Sequence, residues 1–174
     1  HRQDGINRHY MEPEENHPHV KTCNAGLEFL EKNYEEDNWY LHIEYFDPHE
    51  PYFVPEKYKK MYTEQEAPFD WPFYGEVEEG GKEVEDARIN YRAVLSMMDY
   101  YLGKILDFMD EHDMWKDTML IVNTDHGYML GEHGYFGKNY MPCFEEIVHT
   151  PFFLWVPEIG HAGERREQLC QTID

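Results

Sequence analysis

The clearest pattern along the chain is a helical stripe. Tyr91, Val94, Leu95, Met98, Leu102, Ile105, Leu106 and Met109 recur at intervals of three and four and predict an amphipathic helix over about 84–112. A weaker stripe, Val20, Cys23, Ala25, Leu27, Leu30 and Tyr34, predicts a helix over about 18–34. Residues 39–46 (WYLHIEYF) are aromatic and β-branched and read as a buried strand. The strand ends at Asp47-Pro48-His49-Glu50-Pro51, where two prolines stop both helix and sheet and leave a rigid loop. A short helix is expected near 55–62, with Pro55 at its first turn. Residues 117–124 (DTMLIVNT) read as a buried strand of parallel type, and 152–156 as a last strand between Pro151 and Pro157. Residues 1–15 and 63–83 carry no periodicity and are expected to be irregular. The final residues, 169–174, read as the start of a helix. This alternation predicts an α/β layered fold, a mostly parallel sheet flanked by helices, with ligands bound outside the carboxyl ends of its strands.

Composition narrows the function classes. The chain has 174 residues, 41% of them hydrophobic and 16% aromatic, enough to bury one core. The formal net charge of −21 argues against nucleic acid and anionic membranes as partners. No run is long and apolar enough to span a bilayer, and no leader peptide pattern opens the chain. The sequence starts without Met, which suggests a segment of a longer protein. Cys23, Cys143 and Cys170 form neither a disulfide framework nor a CxxC metal motif, so a reducing, cytoplasmic setting is favoured.

The candidate chemistry lies at two strand ends. Asp125-His126-Gly127 follows the strand at 117–124, and a carboxylate beside an imidazole at a glycine turn suits a divalent cation. Equally, Asp125 could cap the turn and His126 could be a plain exposed residue. Four glycines between 127 and 138 give a loop whose backbone can approach a ligand closely. Lys138 places a compact cation just beyond it, suited to an anionic group or to plain solvent. His133 is a turn residue in this reading rather than a ligand.

The run TDHGYMLGEHGYFGK, the segment WYLHIEYFDPHEPYFVPEKY before it, and the long helix and strand between them resemble the sulfatase family of the alkaline-phosphatase superfamily. The resemblance covers most of residues 18–174 and implies one unit, 1–174, cut from a larger catalytic domain. It implies that Asp125 and His126 ligate a divalent metal, Ca²⁺ in preference to Mg²⁺ or Mn²⁺. It also implies that Lys138 contacts the sulfate and that His49 sits at the sulfate or leaving-group oxygen. The reaction implied is sulfate ester hydrolysis on a sulfated small molecule or sugar. Two features depart from the pattern. Asp47 stands where some sulfatases carry Lys, which removes one positive contact. The nucleophile motif, Cys or Ser followed by x-Pro/Ala-x-Arg and converted to formylglycine, begins at none of the cysteines nor at the only serine, Ser96. The formylglycine and the paired metal-binding aspartates of the family are therefore expected upstream of His1. The alternatives are a phosphodiesterase or phosphonate monoester hydrolase of the same superfamily, or a catalytically inactive binding homologue.

Overall fold

A computed structural model describes residues 2–171. Its elements, in chain order, are α1 (Arg2–Tyr10), α2 (Pro18–Asn33), α3 (Glu56–Lys59), β1 (Gly75–Glu76), α4 (Lys82–Glu111), β2 (Leu120–Asn123), β3 (Met129–Leu130), β4 (Tyr135–Gly137), α5 (Glu145–Val148) and β5 (Phe152–Trp155). Short 3₁₀ turns cover Glu14–Asn16, Met114–Lys116 and Glu132–Gly134.

The core is built around α4. Val84, Ala87, Ala93, Val94, Met97, Tyr101, Ile105 and Met109 bury one side of it against α2, α3 and β3. The stripe runs one position away from the sequence expectation at its centre: Leu95 is exposed, and Ala87, Asn90, Ala93 and Met97 carry the packing. Asn90, wholly buried in α4, donates to the carbonyls of Ala67 (2.9 Å) and Phe69 (3.3 Å) and so holds the 63–83 excursion against the core. That excursion is irregular as expected, apart from β1 and the first residues of α4.

Five expectations need correction. Residues 2–10 are helical rather than irregular. The helix buries no residue, so no apolar periodicity could announce it. It docks through Arg8, which bonds both oxygens of Asp70, pairs with Asp4 one turn earlier and lies over the Phe53 ring. Second, residues 39–46 are extended but pair with no strand among the described residues. Their side chains do alternate as a strand's would, with Trp39, Leu41, Ile43 and Tyr45 packed on the core and Tyr40 and Phe46 exposed. Third, the α/β class holds, yet every strand pairing among the described residues is antiparallel: β2 with β5, and β4 with both β1 and β3. The connection from β2 to β5 contains no helix long enough for a parallel crossover, α5 being four residues. Fourth, β2 is not buried on both faces, because Ile121 on β2 and Leu154 opposite it on β5 are about half exposed. Fifth, residues 169–171 carry no helix, and the remainder of that expected helix lies outside the described residues.

Candidate active site

Loop 47–51 meets the loops flanking β3 and β4 through the Lys138–His49 and Tyr128–Tyr52 contacts. Both Asp47-Pro48 and Glu50-Pro51 are cis peptide bonds. Asp47 does not face outward. It is buried, and its carboxylate lies 3.3 Å from His19 Nδ1 and 3.9 Å from His17 Nδ1, both on or at the start of α2. His17 accepts from the His19 backbone N–H at Nδ1, so its proton sits at Nε2, 3.2 Å from the Phe53 carbonyl. The acidic residue found in place of a lysine is thus an anchor of the loop to α2, directed away from solvent.

His49, next in the loop, stacks on Phe46 with ring centroids 4.5 Å apart. The ammonium of Lys138, 89 residues further along the chain, lies 2.9 Å from its Nε2. Lysine has only donors, so His49 Nε2 is the acceptor and the imidazole proton resides on Nδ1. The two residues singled out from separate motifs therefore form one hydrogen-bonded pair.

The loop after β2 is shaped by its glycines. Gly127 donates to the Ile147 carbonyl (2.8 Å), and any Cβ at 127 would overlap the Glu146 carbonyl of α5. Gly131 has φ +92° and sits against Val84 of α4, a position no side chain fits. Arg88 on α4 holds the turn from outside, donating to the Leu130 carbonyl (2.8 Å) and to Glu132 (2.9 Å), whose other oxygen accepts from the Leu130 N–H. His133 has φ +53°, stacks on Phe144 and lies 3.2 Å from Glu146, which is the behaviour of a turn residue.

Asp125 and His126 converge. Asp125 Oδ2 lies 3.3 Å from His126 Nε2, while His126 Nδ1 bonds the Gly127 carbonyl at 2.8 Å. With its proton on Nδ1, His126 presents a lone pair at Nε2 to the same point as the carboxylate, the arrangement a metal-binding histidine adopts. Burial alone would raise the Asp125 pKa. The His126 backbone N–H first, and then the His126 imidazole and the Thr124 hydroxyl, outweigh it and hold the carboxyl below its ordinary value, so it is an anion at neutral pH. The pair fits a divalent cation, but only as part of a site: no group of three or more His, Cys, Asp or Glu among the described residues could hold one.

Tyr128, two residues beyond His126, ties this loop to the other. Its ring packs edge-on against Tyr74 and Tyr52, and the Tyr74 hydroxyl donates to Glu50. Glu50 and Tyr74 are site residues that the sequence patterns did not flag. Glu50 lies inside the PHEP motif as its unspecified position, and Tyr74 lies in the aperiodic excursion.

Residues 3–174 match the family model described as Sulfatase. The chain belongs to the sulfatase family. An arylsulfatase of Clostridium perfringens is 25% identical over 92% of this chain and 37% of its own length. A sulfatase of Formosa agariphila is 28% identical over 82% of this chain and 32% of its own length. The sulfatase chain thus spans about a third of the length of the curated relatives it matches. Among solved structures, the phosphonate monoester hydrolase of Agrobacterium radiobacter superposes with a TM-score of 0.64 at 24% identity, over 84% of this chain and 34% of the other. That likeness concerns the fold, which is α/β. No helix among the described residues is long and apolar enough to cross a membrane.

Proposed function

We propose that this chain is part of a catalytic domain that hydrolyses sulfate esters of a small molecule or sugar. The observation that supports the reading best is the Lys138–His49 contact of 2.9 Å, because it joins the family's two sulfate-facing motifs into one cationic pair. The second support is the convergence of Asp125 and His126 on one point.

In this reading Asp125 and His126 are two of the ligands of a divalent cation. Ca²⁺ is favoured, since hard cations take about six or more ligands, chiefly oxygens, and the Asp125 carboxylate offers one; Mg²⁺ and Mn²⁺ are the alternatives. Such an ion acts as a Lewis acid toward the nucleophile and a sulfate oxygen. The nucleophile, formylglycine in this family, is expected in sequence upstream of His1. The Lys138 ammonium holds a sulfate oxygen as negative charge redistributes in the transition state. It leaves His49 to do so, and His49 Nε2 is then free to serve the leaving oxygen. Loop 47–51, anchored by Asp47 on α2, keeps the imidazole in place.

The test uses the complete gene product supplied with Ca²⁺ and an aryl sulfate. Removing a charged donor to a developing anion costs about 100- to 1000-fold in rate, and Lys138→Ala should lower kcat/KM by that order with the fold intact. Faster turnover of a phenylphosphonate monoester or a phosphodiester than of the sulfate would assign the site to phosphoryl chemistry instead. Turnover of none of the three would leave a binding homologue.

A further inference from the structure

His49 is gripped from its other side by a group that no motif marks. Its Nδ1 lies 2.8 Å from the Glu50 backbone carbonyl and 3.3 Å from Glu50 Oε2. Glu50 is only 6% exposed. One of its oxygens accepts from the Tyr74 hydroxyl. The other, Oε2, is buried without a further hydrogen-bond partner and faces His49. Tyr52 and Tyr128 close the pocket around the carboxylate, and both have buried hydroxyls without partners. A carboxylate in so dry a place is costly unless a positive charge answers it. Burial first, and then the bond to Glu50, push the Tyr74 phenol well above its ordinary pKa, so Tyr74 stays a donor. The remaining cation in line is Lys138, reached through the His49 ring.

We infer that Glu50 is the positioning residue of His49: its backbone carbonyl accepts the Nδ1 proton, and its buried carboxylate, clamped by Tyr74, faces the same edge of the ring and stabilises the imidazolium that forms when Nε2 takes a proton. The catalytic part of this inference rests on the sulfatase reading. While Lys138 occupies Nε2, His49 is a neutral acceptor. Once a sulfate oxygen draws Lys138 away, Nε2 can take a proton from water. As the ester S–O bond breaks and sulfur passes to the attacking oxygen nucleophile, the leaving oxygen keeps the bonding pair and receives that proton. His49 returns to its neutral form.

Glu50→Gln tests this, since it keeps the volume and a partner for Tyr74 but removes the charge. Outer partners of a functional histidine carry about 10- to 100-fold. In the complete gene product, kcat should fall by that order for an aryl sulfate with a weakly acidic phenol, with KM unchanged. For a strongly acidic phenol the loss should be small. Equal losses on both esters overturn the catalytic part. A second readout is independent of turnover. Proton NMR should show a downfield, slowly exchanging Nδ1 proton, bonded to the Glu50 carbonyl and facing its carboxylate, absent in His49→Gln and shifted upfield in Glu50→Gln. No such resonance in the unsubstituted protein, or one that Glu50→Gln leaves unchanged, overturns the proposal. If no sulfate ester is turned over while the resonance behaves as expected, the sulfatase reading fails and the Glu50–His49 coupling stands.

Discussion

Glu14 shows how one carboxylate can hold three elements. It accepts from the hydroxyls of Tyr58 on α3 (3.0 Å) and Tyr101 on α4 (2.9 Å), and pairs with Lys57 at 2.6 Å. Burial pushes its pKa up, but Lys57, Tyr101 and Tyr58 together push harder and hold it below the ordinary glutamate value. A depressed folded pKa contributes stability that is present above the unfolded value and is lost as pH falls through the folded one. Glu14→Gln should therefore destabilise the chain by about 2–3 kcal/mol at neutral pH, the worth of hydrogen bonds to a charged group. That difference should shrink as pH drops below the ordinary carboxyl range of about 4.3. Urea unfolding of both proteins across this range checks it, and a difference independent of pH would mean that packing, not charge, carries Glu14. Lys138 poses a different question at the same scale, point charge against fork. Lys138→Arg should recover only part of the activity lost in Lys138→Ala in the complete gene product, because a planar fork does not place its charge where the compact, mobile ammonium does. Full recovery in kcat/KM would show that charge alone suffices.

Elements differed in how far the sequence disclosed them, and the reason is where each finds its partner. The helix α4 was legible because its partners lie along one face and impose a period. The helix α1 was not, since it is held by Arg8 and buries nothing. Strands β3 and β4 are two and three residues long and bounded by glycines, too short for any alternation to register. In the site, His49, Asp125, His126 and Lys138 were legible from motifs. Glu50 and Tyr74 meet only because the excursion folds back over loop 47–51, an event without local sequence signal. The glycine turn was legible as backbone able to approach a ligand closely, and the structure shows it in close approach to the chain itself, at Glu146 and Val84. Gly127→Ala forces Cβ onto the Glu146 carbonyl, and overpacking of this kind costs about 1–3 kcal/mol. Gly5 in α1 has open space around it, so Gly5→Ala should be neutral or stabilise by up to about 1 kcal/mol. Thermal unfolding of the two variants should move in opposite directions or show only Gly127→Ala as damaging. Equal behaviour would mean that α5 yields freely and does not brace the loop carrying Asp125 and His126.

Over the whole molecule, apolar surface is distributed in a way that fits a piece of a larger sheet. On one face of the β2–β5 pair, Ile121, Leu154 and Phe152 are 49%, 53% and 47% exposed, and the register places Ile121 directly opposite Leu154. The extended stretch 39–46 pairs with no strand among the described residues, and Tyr40 is 84% exposed. Contiguous apolar patches and open strand edges promote association unless another surface covers them. The net charge of −21 opposes self-association at long range, but salt screens it within about 8–10 Å, whereas contact between apolar faces is unaffected. The isolated 174-residue chain should therefore be monomeric at low ionic strength, bind a hydrophobic dye, and associate as salt is added. Replacing Ile121 and Leu154 together by Thr keeps the β propensity of both positions while removing apolar area, so it should reduce dye binding and salt-induced association with little change in unfolding temperature. Sedimentation velocity at two salt concentrations, with and without the double substitution, decides it. A chain that stays monomeric and dye-free at high salt would show that this face needs no cover. The same chain should release no phenol from an aryl sulfate even with Ca²⁺, because it offers only two candidate cation ligands and no nucleophile motif. Turnover above buffer that Lys138→Ala abolishes would place a nucleophile within these residues.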